Sequence, residues 1–217
     1  MSELPLKTIS VVGADAFDFL QNQLTNDLTL LESEAEILAA WCNPKGRVIW
    51  FGTVQAIESG YALSVAAEIA EDVVSRLTVF RFRSKVEFSI DESGTVDAEF
   101  LIENGYPFIG LAQTEQFTPH MLNLDLLGAV SVDKGCYPGQ EVVARTHYRG
   151  ATKRRLMRFE STEPVSPGDK VNDGERDVGE VLNAVGTQLL AVVPVEKAAE
   201  SLIIREIALL HLPLPYL

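Results

Sequence analysis

Lys134-Gly135-Cys136-Tyr137-Pro138-Gly139-Gln140-Glu141 is the stretch from which the rest of the chain can be read. Pro138 suits a first helical position, where its missing N–H costs nothing. Residues 140–148 read as a helix that Gly150 stops. Cys136 is then expected just before a helix N-terminus, whose N–H groups and dipole favour an anion. Lys134 adds a positive charge if its side chain turns inward, and both effects push a thiol toward thiolate. Gly135 and Gly139 let the backbone bend and a ligand approach. On spacing alone the same residues also describe a tight turn with Cys136 as a small buried hydrophobe, and spacing favours that account.

With 217 residues, 47% hydrophobic and 23% charged, the chain can bury a sizeable core in one or two domains. Acidic residues outnumber basic ones 31 to 18, a net charge of −13, which argues against broad nucleic-acid binding. The densest basic run holds Arg145, Arg149, Lys153, Arg154, Arg155 and Arg158. It is expected to serve a partner protein or an acidic ligand tail rather than RNA. Cys42 and Cys136 lie far apart with no CxxC pair, so no metal site is expected. No basic-then-apolar leader opens the chain and no apolar run reaches membrane-spanning length, so a cytoplasmic protein with reduced thiols and no membrane partner is expected.

Taken in order, residues 6–12 read as a strand, and Asp15 as the cap of a helix carrying Phe17, Leu20 and Leu24 on one face. A strand over 37–41, a turn at Asn43-Pro44-Lys45-Gly46 and a hairpin over 47–65 follow. Residues 67–80 predict an amphipathic helix with Ile69, Val73, Leu77 and Phe80 in one stripe. A strand over 85–90, a loop at Glu92-Ser93-Gly94 and a helix over 97–103 come next, then an ordered loop over 106–120. After Gly150, short β-like runs alternate with Pro-Gly-Asp and Asn-Asp-Gly turns, which predicts a small β-barrel or sandwich with the apolar tail packed back on it.

The cysteine stretch, continued by Val142-Val143-Ala144-Arg145, resembles the signature of the YgfZ family, which is related to the T-protein (aminomethyltransferase) of the glycine cleavage system. Further segments are similar to that family's: residues 19–27, Cys42-Asn43-Pro44-Lys45-Gly46-Arg47, Arg83-Ser84-Lys85-Val86, residues 116–124 and the closing Leu212-Pro213-Leu214-Pro215-Tyr216. The resemblance covers almost the whole chain. It implies an α+β, T-protein-like, folate-binding fold with a reduced middle subdomain and a C-terminal β-barrel. Residues 1–149 would form the folate-binding domain, with 47–97 as a small α/β subdomain, and residues 150–217 the barrel.

The resemblance further implies a tetrahydrofolate cofactor and work in the assembly or repair of iron–sulfur enzymes, tRNA-modifying ones included. Iron–sulfur client proteins would be the partners, with no direct nucleic-acid contact. Cys136 and Lys134 are the expected catalytic residues. Glu103, Asn43, Arg47, Tyr137, Gln140, Glu141 and Arg145 are the expected folate-binding ones, in a cleft between Glu103, the Asn43–Arg47 turn and the Cys136 loop. Glu103 matches the T-protein glutamate that bonds the pterin, a task suited to a carboxylate's two oxygens. The alternative function is folate-dependent aminomethyl transfer. Against it, the strand Val48-Ile49-Trp50-Phe51-Gly52-Thr53 lacks the carboxylate that assists transfer in the T-protein.

Overall fold

The structure is a computed structural model that describes residues 2–150 and 152–217. Strands β1 (Glu3–Val12), β2 (Glu36–Cys42), β3 (Val48–Ile57), β4 (Gly60–Ala66) and β5 (Glu87–Asp97) form one antiparallel sheet in the order β2-β3-β4-β1-β5. β1 lies between β4 and β5 and bonds to both. The strands of residues 47–97 therefore share one sheet with β1 and β2. The first strand of the chain holds their strands in a common sheet, so neither part can close its ladder without the other.

Helices α1 (Ala16–Gln21) and α2 (Ala70–Phe80) cover one face of this sheet. Ile69, Val73 and Leu77 form the expected stripe and meet Ile9, Val11, Leu63 and Val65, each large side chain contributing about 1.5–3 kcal/mol on burial. Asp15 does not cap α1. Its carboxylate accepts instead from the Lys85 backbone N–H at 2.7 Å. The loop expected at Glu92-Ser93-Gly94 is the interior of β5, where the register against β1 shifts between Leu6 and Lys7. β5 runs directly into α3 (Ala98–Asn104), with Asp97 capping the Glu99 N–H and Gly105 closing the helix at φ 69°.

A second core lies between the other face of the sheet and the C-terminal domain, alternating along β2 so that Ala39 and Trp41 face one way and Ala40 and Cys42 the other. The C-terminal strands β6 (Arg154–Ser161), β7 (Lys170–Asn172), β8 (Asp177–Val185), β9 (Gln188–Pro194), β10 (Leu202–Ile204) and β11 (Ile207–Leu212) close into a barrel ordered β10-β11-β6-β9-β8-β7. The tail seats at the joint between the two domains. Leu214 is buried, and Tyr216 donates to the Gly105 carbonyl at 2.8 Å.

Candidate functional site

The cysteine loop is fixed at both ends. At its start, Lys134 is buried and its Nζ donates to the carbonyls of Leu24 and Asn26, each at 2.8 Å. Burial pushes this ammonium down to about 8, against the attraction of Asp27. Lys134 does turn inward, but its hydrogen bonds go to these carbonyls and not to the Cys136 thiol. The receiving segment is itself tightly held. Thr25 Oγ1 donates to Ala129 O at 2.7 Å and accepts from Ala40 N at 2.9 Å, while Asn26 Nδ2 donates to Leu38 O and Gly128 O.

At the other end, Gly139 caps helix α4 (Gln140–Arg149) in a left-handed conformation at φ 81°. A Cβ there would sit 2.6 Å from Asn43 O and 2.7 Å from Gly46 Cα. The cysteine loop thus rests backbone to backbone on the Asn43–Gly46 turn. Pro138 precedes the helix by two residues and belongs to the turn, not to a first helical position. Gln140 closes the loop by donating from Nε2 to the Lys134 carbonyl at 3.3 Å. Tyr137 is buried with its hydroxyl unpartnered among the described residues, and burial pushes its pKa up. Cys136 is exposed between these anchors, and Glu141 and Arg145 are exposed on α4.

The other expected folate ligands are used differently. Asn43 Oδ1 accepts from Lys45 N and Arg47 N, and its Nδ2 donates to Glu115 at 2.8 Å. Glu115 also takes Arg76 Nη1 at 2.9 Å, and the two donors hold its carboxyl below the usual range. Arg47 Nη1 donates to the Gln116 carbonyl at 2.6 Å. Asn43 and Arg47 therefore shape the turn that supports Gly139. Glu103 stands apart on α3, its side chain 63% exposed and 3.9 Å from Arg158.

The basic run is also divided. Arg155 pairs with Asp125 through both terminal nitrogens, at 3.0 and 2.8 Å, Arg154 donates to the Val178 and Val192 carbonyls, and Arg158 reaches Gln188. Only Arg145, Arg149 and Lys153 of the run are exposed. His120 is buried, and its ring nitrogens have no partner among the described residues, the Cys136 thiol included.

A cavity of about 450 Å³ opens elsewhere, between the sheet and the α3 segment. Leu38, Phe51, Leu101, Phe108 and Ile109 give it apolar walls, and Thr53, Ser64 and Glu36 supply polar groups. Phe100 and Tyr106 also line it, stacked on each other at 6.4 Å and 17°. Its lining includes none of Glu103, Asn43, Arg47 and Cys136. Nothing local in the sequence joins Glu36, Thr53, Ser64 and Tyr106. Only the sheet order does.

The two thiols sit in different environments, Cys42 in the core between the sheet and the barrel and Cys136 on the exposed loop. Cys42 is buried and pushed up to about 12, which leaves it about a thousandfold less thiolate than an ordinary cysteine at neutral pH. Alkylation near neutral pH followed by mass spectrometry is expected to label Cys136 at least a hundredfold faster than Cys42. Comparable rates would mean that the loop shields Cys136.

Residues 153–213 match the family described as the CAF17 C-terminal β-barrel domain. The solved glycine cleavage system aminomethyltransferase T from Bartonella henselae superposes over 98% of this chain and 84% of that one, with a TM-score of 0.75 at 15% identity. The fold is thus that of the T-protein class, a sheet domain joined to a closed barrel. An uncharacterized protein of Haemophilus influenzae is 30% identical over 70% of this chain and 69% of its own length. The tRNA-modifying protein YgfZ of Yersinia pestis (strain Pestoides F) is 29% identical over 99% of this chain and 94% of its own, and that of Hamiltonella defensa is 28% identical over 68% of this chain. This chain belongs to the YgfZ family. It spans 66% of the length of the Hamiltonella defensa relative. No helix among the described residues is long and apolar enough to cross a membrane.

Proposed function

We propose that this chain is a folate-binding accessory protein that serves the assembly or repair of iron–sulfur enzymes, tRNA-modifying ones among them. The observation that carries the reading is the separation of the exposed Cys136 from the cavity lining. A transferase acting on a bound cofactor needs its reactive group within reach of the substrate atom. Here the thiol sits on an outward loop, which suits presentation to a partner protein. A lone cysteine cannot hold an iron–sulfur cluster, so any cluster ligation would require the partner's own ligands.

The cavity suits tetrahydrofolate by size and chemistry. It falls within the usual range of ligand sites, and a flat pterin needs apolar walls with a few polar groups at its edge. Thr53 and Ser64 would meet that edge. Two carboxylates are candidates for the aminopyrimidine. One is Glu36 at the rim, already bonded to Gln55 through Oε2. The other is Glu103, three residues along α3 from the cavity-lining Phe100. When bound, the folate would supply one-carbon or redox chemistry, and this chain's residues would bind it, orient it and keep water from it.

Titration with tetrahydrofolate tests the reading. Trp50 donates to the Ser64 carbonyl and packs beside Gly52, both at the cavity, so its fluorescence is expected to report binding. Thr53→Phe fills the cavity and is expected to weaken binding at least tenfold, about 1.4 kcal/mol. Binding that survives Thr53→Phe unchanged would place the folate elsewhere. In the same assay, a loss of roughly 1.5–3 kcal/mol in Glu103→Gln assigns the pterin edge to Glu103. Unchanged affinity leaves it to Glu36.

A further inference from the structure

The segment after α2 carries a surface that neither the cavity nor the cysteine loop uses. Residues 77–86, Leu-Thr-Val-Phe-Arg-Phe-Arg-Ser-Lys-Val, hold three cations and no acid in a chain of net charge −13. Arg81-Phe82-Arg83-Ser84 form a tight turn closed by Ser84 N donating to Arg81 O at 2.8 Å. Phe82 occupies its second position at φ 44°, a left-handed conformation that such turns normally give to glycine, asparagine or aspartate. The ring gains no burial in return, being 86% exposed. Val79, three residues earlier, is 70% exposed and Phe80 38%, with Phe80 held edge-on to Trp41 at 6.1 Å and 89°. Arg81, Arg83 and Lys85 are exposed, and none pairs with a carboxylate among the described residues. The acid at the base of the turn, Asp15, is spent on the Lys85 backbone N–H.

A bulky residue held in a disfavoured backbone conformation, with its side chain in water, costs the fold without stabilising it. Such strain collects at functional surfaces. Aromatic and arginine side chains are also the groups that dominate the energetics of protein interfaces. We propose that Val79, Phe80 and Phe82, flanked by Arg81, Arg83 and Lys85, form a docking surface for an acidic segment of a partner protein that carries apolar side chains. The aromatic rings take the apolar side chains and the cations take the carboxylates. The net charge favours a short peptide over a nucleic acid. The field of the three cations acts within about one Debye length, roughly 8–10 Å, whereas a polyanion would run on from the turn over an acidic surface.

Fluorescence anisotropy with labelled twelve-residue peptides tests this on the full chain. One peptide alternates Glu with Leu and Phe, a second replaces Glu by Lys, a third keeps Glu and replaces Leu and Phe by Ser, and a twelve-nucleotide oligouridylate completes the set. The acidic apolar peptide is expected to bind at least tenfold tighter than each of the others. Phe82→Gly is expected to weaken that binding at least tenfold while the melting temperature stays equal or rises, because glycine relieves the strained turn. The double change Arg81→Gln, Arg83→Gln is expected to weaken binding similarly and to flatten its salt dependence. A fall in melting temperature in Phe82→Gly with affinity unchanged would show that the ring serves the fold and overturn the proposal. Preference for oligouridylate would make this a nucleic-acid surface, and equal binding of all three peptides would leave no docking site. Either result overturns it.

Discussion

Gly139→Ala is expected to cost the fold about 3–5 kcal/mol, from strain of a side chain in left-handed backbone together with overpacking. The overpacking is specific. The new Cβ would meet Asn43 O at 2.6 Å, Gly46 Cα at 2.7 Å and Gly46 N at 2.9 Å, all backbone atoms that cannot rotate aside. The turn they belong to is fixed by Asn43, whose side chain bonds two backbone N–H groups and Glu115. The cysteine loop, not the turn, is therefore expected to give way. Urea unfolding would measure the loss, and limited proteolysis within residues 134–139 would report the freed loop. Gly135→Ala is the matched control. No atom lies within 4 Å of its Cβ position, and a change within about 0.5 kcal/mol is expected. An alanine at 139 that matched the control would mean that the two loops do not bear on each other.

Elements whose partners are local were legible in the sequence. The stripe Ile69, Val73 and Leu77, the hairpin now seen as β3 and β4, the helix from Gln140 and the alternating strands after Gly150 all follow from period and turn chemistry. Polar partnerships over long distances were not legible. Lys134 reaches carbonyls 110 and 108 positions earlier, and no local pattern specifies which orphan acceptor a lysine will satisfy. The basic run misled for the same reason. Arg154 and Arg155 look like neighbours on a charged face, yet one spans two barrel strands and the other clasps Asp125. The cavity was hidden more deeply, because Glu36, Thr53, Ser64 and Phe100 meet only through the β2-β3-β4-β1-β5 order and the packing of α3. The cysteine stretch pointed to the YgfZ family and to an accessible Cys136, which is indeed exposed, whereas the cavity lining could not be read from it.

Lys134→Met is expected to lower stability at every pH near neutrality, by an amount that grows as the solution becomes alkaline. The loss arises at the Leu24 and Asn26 carbonyls, which lose the Lys134 donor and cost about 1–3 kcal/mol each when left buried and unpaired. Part of that loss is offset at neutral pH, because methionine does not require the burial of a charge. The offset depends on pH in a definite direction. Burial lowers the folded-state value from 10.5 to about 8, so between those limits the unfolded chain binds a proton that the folded chain does not. Raising the pH through this window removes the penalty and stabilises the wild type, while below about 8 both states carry the proton and the penalty is constant. The stability difference between wild type and Lys134→Met should therefore widen by about 2–3 kcal/mol between pH 7 and pH 10. Methionine does not titrate, so the difference isolates the lysine. Chemical denaturation of both proteins across that range measures it. A flat difference would mean that the ammonium keeps its ordinary affinity for protons, and hence that the start of the cysteine loop is not anchored through a buried Lys134.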